Sequence, residues 1–330
     1  MNKSITLNQK EASQKSTNIV KTFLKNISPF NNKTDMPAVL LVIKKLLAFA
    51  LCYCLGIFLA EGLIIGILFA CGKNFLQGEM FSDEVMSWIA LVGVIVLLAV
   101  SVLYWKLIEK RKLSEMGVTK SISGWFIGAG IGVLLIIVIV SAIMVTGAIR
   151  LDGFSADINI KMFLLMFGGY VIQGAAEEFL CRGLVFGALK DKVPVPVAVG
   201  AGALVFVLPH MATLADAEPM FVILGVLNLV AVSCLFSFIT LRTKSIWAAC
   251  GLHSLWNFTL ECVCGLTVSG NESSSSALIN MRAIGENFLN GGKYGIEASA
   301  VTLIIVTAVS GIILYTIKRK GREAWNGVQQ

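Results

Sequence analysis

The sequence predicts an all-α, polytopic transmembrane helical bundle of about eight spans, with both termini in the cytoplasm. Three observations carry that expectation. Apolar residues make up 56% of the chain and charged residues 14%, whereas about a quarter of a soluble domain is charged. Eight apolar runs recur, each of about 19 to 28 residues, against the ~20 that cross ~30 Å of hydrocarbon as a helix. The segments between the runs alternate in charge.

The runs cover Leu46–Ala70, Met86–Leu107, Gly124–Ile149, Met162–Leu189, Pro194–Ala212, Pro219–Leu241, Ile246–Leu266 and Ile296–Ile317. With that count, Lys44 and Lys45, the cluster Lys106, Lys110, Arg111, Lys112 and Lys120, then Lys190 and Lys192, Arg242 and Lys244, and the final Lys318, Arg319, Lys320 and Arg322 all face one side. The other side holds Asp83, Glu84, Asp152, Asp216 and Glu218, with only scattered basic residues. Lys and Arg concentrate on cytoplasmic loops, so the basic side is the inside and the protein is expected in the cell membrane. The organisation expected is a polar cytoplasmic tail over 1–42, two accessory spans and a basic loop over 43–120, a helical core over 121–266, an outer loop over 267–295, and a last span with a basic tail over 296–330. The outer loop contains Asn271-Glu272-Ser273, a glycosylation sequon by pattern alone.

The formal net charge is +7. Its basic residues sit in short clusters where topology requires them, not in one stripe, so no nucleic-acid partner is expected. Cys52, Cys54, Cys71, Cys181, Cys234, Cys250, Cys262 and Cys264 lie in or beside apolar runs, without a CxxC pair. They read as small thiols packed between helices.

Ionisable residues inside a span are expensive and mark function by default. The fourth run carries Glu177, Glu178 and Arg182, whereas Glu61 and Glu261 stand isolated in theirs. The two histidines, His210 and His253, lie in the fifth and seventh runs. Glu178 and Arg182 are four apart and share a face, so they are expected to pair. Glu177 is turned about 100° from Glu178 and is left as the free carboxylate. His253 and Asn257 share another stripe, and Phe206 and His210 repeat the spacing beside Pro209, which can distort the helix.

Three ordered patterns, Glu177-Glu178-x-x-x-Arg182, Phe206-x-x-x-His210 and His253-x-x-x-Asn257, resemble the motifs of the CPBP family, the CAAX proteases and bacteriocin-processing enzymes, also called Abi. That family includes the type II CAAX prenyl endopeptidases. The resemblance covers about residues 174–257 by motif. It implies a membrane-embedded protease acting on a membrane-associated peptide or protein, within the lipid bilayer. Glu177 is implied as general base with His210 on a water, His253 and Asn257 as oxyanion donors, and Glu178, Arg182 and Phe206 as structural support. Two forms of the water are compatible with the residues. It is held by protein groups alone, or on a zinc ion bound by Glu177, His210 and His253. The soluble-zincin signature HExxH is absent, and the reading leans toward no obligatory metal. Two other functions stand beside proteolysis: a catalytically silent scaffold or regulator of envelope processes or bacteriocin immunity, and a proton-coupled transporter, since intramembrane Glu and His also form relays.

Overall fold

The computed structural model describes residues 18, 20–271 and 277–328, with side chains as far as 319. Residues 1–17 and 19 of the expected tail and part of the Asn271-Glu272-Ser273 sequon lie outside the described residues. The chain is a helical membrane bundle. Its elements are α1 (Ala38–Ala70), α2 (Asp83–Gly93), α3 (Ile95–Leu107), α4 (Ser123–Val145), β1 (Ile149–Phe154), α5 (Ile160–Glu178), α6 (Gly187–Leu189), α7 (Val195–Leu214), α8 (Pro219–Thr243), α9 (Trp247–Phe258), β2 (Ile279–Ala283) and α10 (Ala300–Val328).

Among the described residues, six helical runs are long and apolar enough to cross a membrane: α1, α2 with α3, α4, α7, α8 and the first part of α10. The other two expected spans are also helical. They differ from the six in their backbone: α5 passes through a π-helical stretch, Phe179–Phe186, into α6, and α9 ends in another, Thr259–Val263. These are two of the three spans that carry the motifs; the third motif, with Phe206 and His210, lies on α7. Large apolar side chains such as Phe58, Val145, Ile137 and Ile304 stay exposed, as lipid-facing positions do.

Several boundaries depart from the expectation. Lys44 and Lys45 do not precede the first span. They lie inside α1 and are buried. The third run ends at Val145, and Ile149 begins β1. The outer loop is partly ordered as β2, which pairs antiparallel with β1 across a bulge between Leu151 and Gly153. Asp152 clasps that pair, taking Arg150 Nε at 2.6 Å and Arg282 Nε at 2.5 Å. Of the eight cysteines, five are buried, Cys234 is intermediate, and Cys54 and Cys71 are exposed. For those two, packing between helices is not the explanation.

The basic loops gather at one end. Ile246 N donates to Gly117 O at 2.9 Å, Trp247 Nε1 donates to Thr119 O at 3.0 Å, and Lys45 meets Glu109 at 2.6 Å. The β1–β2 pair and the residues before α10 gather at the other end, where Ile284 N donates to Ala148 O and Gly270 N to Tyr294 O.

One packing feature places the site. Gly124, Gly128 and Gly132 recur every fourth residue on α4. A Cβ added at Gly128 would lie 1.9 Å from Ala248 O, and one at Gly132 2.6 Å from Leu252 O. On the facing helix, a Cβ at Gly251 would lie 1.9 Å from Trp125 O. Small residues at this spacing let helix backbones touch without a hydrophobic driving force between them. They fix the depth and rotation of α9, and with it His253 and Asn257.

Candidate active site

Glycine also sets how α5 meets α9. A Cβ at Gly174 would come within 2.5 Å of Ser254 Oγ and 2.8 Å of Ser254 N. This close crossing lets polar side chains on the two antiparallel helices meet in three successive levels. Glu177 faces His253, with Glu177 Oε2 3.9 Å from His253 Nε2. One turn away, Asn257 Nδ2 donates to Gln173 Oε1 at 3.0 Å. One turn further, Tyr170 Oη donates to Glu261.

The two adjacent glutamates differ in environment. Glu178 is fully buried and takes Arg182 Nη1 at 3.0 Å. Arg182 also donates through Nη2 to Ser233 Oγ at 2.7 Å and Ser233 O at 3.1 Å. Its guanidinium lies between the rings of Phe206 and Phe236, 4.7 and 4.8 Å from their centroids. Cation–π contact of this kind gains strength when desolvated. Glu177 keeps 26% of its side chain exposed, and Gln173 Nε2 donates to its Oε1 at 2.5 Å.

Helical spacing puts Glu178 on the face of Arg182 and turns Glu177 elsewhere. The structure shows Glu178 pairing with Arg182, yet joins both glutamates through one imidazole. His253 Nδ1 lies 3.1 Å from Glu178 Oε1 while its Nε2 faces Glu177. Phe236 stacks on the His253 ring at 5.1 Å and 22°, which fixes its plane. His210 Nδ1 lies 2.8 Å from Phe206 O. A carbonyl only accepts, so Nδ1 carries the proton and Nε2 is the acceptor of neutral His210.

A cavity of about 300 Å³ opens on this wall, and Glu177, His210, Phe206 and Asn257 all line it. His253 is set behind, in a recess of about 20 Å³ that it shares with His210 and Asn257. Among the described residues, no group of three His, Cys, Asp or Glu side chains is placed to hold a metal ion. Glu177, His210 and His253 do not form such a group.

Residues 159–259 match the family described as type II CAAX prenyl endopeptidase Rce1-like. The matched segment runs from the start of α5 to the first π-helical residue after α9 and contains all three motifs. It supports the resemblance read from them, and over this part the chain is similar to that family of CAAX-type membrane proteases. No curated protein and no solved structure matches the chain.

Motif reading alone misses Gln173, Tyr170 and the role of Glu261. Gln173 stands four residues before Glu177, on the same helical stripe, and that spacing is a usable signal. Glu261 looks isolated along the chain. In space it meets Tyr170 and lines the same cavity. Glu61, the other isolated carboxylate, is exposed on α1.

Proposed function

We propose that the chain is an intramembrane endopeptidase that hydrolyses a peptide bond in or near the bilayer. Glu177 and His210 activate a water, and His253 and Asn257 stabilise the oxyanion. The observation that carries this reading is the inequality of the two glutamates. Glu178 is committed to Arg182 and His253, whereas Glu177 opens onto a cavity that His210 also lines.

In the reaction, Glu177 takes a proton from water as its oxygen adds to the scissile carbonyl carbon. His210 Nε2, left as an acceptor, orients that water. The carbonyl oxygen gains the charge. Asn257 spends one amide N–H on Gln173 and retains a second for the oxyanion. The C–N bond then breaks as the proton passes to the leaving amine. Glu178 takes the Nδ1–H of His253 and holds the ring in orientation, so that its imidazolium form offers Nε2–H to the oxyanion.

The basic end is assigned to the cytoplasm, with both termini there and the protein spanning the cell membrane several times. The cavity then lies toward the outer half, since its lining extends to Thr213, Ser269 and Asn271 at the opposite end. The substrate is a membrane-associated peptide or protein. Comparative membrane peptidomics of wild type against Glu177→Ala tests the reading. Fragments that depend on Glu177 are expected, and their complete absence would overturn it.

A further inference from the structure

Behind the cavity that Glu177 lines lies the recess of about 20 Å³. The two spaces share Phe206, His210, Asn257 and Ser269 in their walls. Asn228 and Val232 of α8 line the recess and not the cavity. A space of this size has room for about one water.

Asn228 is 1% exposed. Its Nδ2 donates to Leu224 O and to Ser299 O, both at 3.0 Å. Carbonyls only accept, so these two bonds fix which end of the amide is the nitrogen. Oδ1 is left fully enclosed, with no hydrogen-bond partner among the described residues. Glu297, the carboxylate that also lines the recess, is engaged by Trp256 Nε1 and by Ser269 N and Oγ. Buried amide oxygens are normally paired, with protein or with ordered water. A small polar recess that meets an unpaired acceptor suits a water, which brings two donors.

We propose that the recess is a single-water site anchored on Asn228 Oδ1, and that it supplies the attacking water once a peptide occupies the cavity. Each turnover consumes one water. A peptide in the cavity covers Glu177, and the surrounding lipid supplies none. A water held behind the catalytic wall escapes that closure. It donates one O–H to Asn228 Oδ1 and takes the Asn257 N–H that is later given to the oxyanion. When the scissile carbonyl takes over that N–H, the water passes to His210 Nε2, the acceptor that both spaces share, and on to Glu177. Asn228 is a positioning residue that acts through this water and meets no atom of the peptide. The use of the water rests on the protease reading, whereas its binding does not.

The test uses full-length protein in lipid vesicles. X-ray radiolysis oxidises side chains beside bound water, and mass spectrometry reads the product. Trp256 lines the recess and not the cavity, and Trp105, fully buried on α3, is the reference. Trp256 is expected to label well above Trp105. Asn228→Leu removes the anchor, and Val232→Leu fills the recess while leaving Asn228 and its two bonds in place. Each should bring the Trp256 label down to that of Trp105. Each should also lower kcat about ten- to hundredfold, the scale of a misplaced reactant, on a fluorogenic peptide built on a Glu177-dependent cleavage. KM should stay near wild type, because neither residue lines the cavity that takes the peptide. Equal labelling of the two tryptophans in wild type would overturn the proposal. So would wild-type kcat in a folded variant that has lost the Trp256 label, or a lowered kcat in one that keeps it. If the label depends on Asn228 but the protein with Glu177 intact cleaves no peptide, the protease reading fails and the water site stands.

Discussion

Two regions of the bundle bury a carboxylate beside a nitrogen base, and they are built differently. At the basic end, Lys45 and Glu109 meet at 2.6 Å with 1% and 0% of their side chains exposed. Tyr104 Oη lies 3.4 Å from Glu109 and also donates to Pro29 O. Neighbouring Lys44 ties the same region to Asn31 and the Lys33 carbonyl. Between α5 and α9, Glu178 is sealed just as tightly, but Glu177 beside it is open to a cavity. A buried pair with both charges matched is structure. Chemistry needs a second carboxylate that the pairing leaves over. Adjacency in sequence places the two side by side, and burial divides their work.

Changes that separate these regions sharpen the contrast. The largest effect is expected at the open carboxylate. Glu177→Gln should lower peptide turnover by about 10²–10⁴-fold while the thermal melt of the reconstituted protein stays near wild type. His210→Ala should behave alike, since the His210 ring bonds to Phe206 O of its own helix. A matching loss of stability in either variant would mean that the site is structural.

The sealed pair should give the converse. Glu109→Ala strands the Lys45 charge and should destabilise the fold by about 3–5 kcal/mol. Replacing both partners, as Lys45→Met with Glu109→Leu, should recover most of that loss. Denaturation midpoints report the stability, and turnover per folded molecule should remain near wild type in both variants.

A third change breaks the contrast by striking the scaffold. Gly251→Ala drives a Cβ against Trp125 O, so α4 and α9 must part, at about 1–3 kcal/mol for overpacking. Turnover should fall with it, because His253 and Asn257 ride on α9. Stability lost with full turnover retained would show that α9 does not set the site.

The smallest effect belongs to the outer hairpin, far from both. Hydrogen bonds from Arg150 and Arg282 hold the Asp152 carboxyl below its ordinary range. A group depressed in the folded state stabilises it above the unfolded value, near ~3.9, and that contribution is lost as pH falls through the lower folded value. Protection of the amides over residues 149–154 and 279–283, taken relative to intrinsic exchange at each pH, should therefore be constant at neutral pH and fall below about pH 4. The clasp is exposed, so added salt should weaken it.

The parts legible in the sequence are those governed by local demands. Lipid forces each spanning segment to satisfy its own backbone hydrogen bonds, so apolar length announces a helix wherever a run exceeds about 20 residues. The pairing of Glu178 with Arg182 follows in the same way from four residues of helix. The β1–β2 pair was not legible, because Ile149 continues an apolar run and its strand partner lies 134 positions away, at Ala283. The burial of Lys44 and Lys45 was hidden for a similar reason. Two lysines beside an apolar run read as its flank, and only Glu109 and the carbonyl of Lys33 reveal them as interior.

The chain alone therefore determined the helical bundle, the basic end and the motif residues with their faces, since each depends on composition or on spacing within one helix. Tertiary structure decided which faces meet. The glycines of α4, Gly251 and Gly174 admit close backbone contact, and this contact, not any property of the polar residues, puts Glu177 level with His253, Gln173 level with Asn257 and Tyr170 level with Glu261. Those partners stand 76 to 91 positions apart, beyond any local periodicity, so only the packed helices join them.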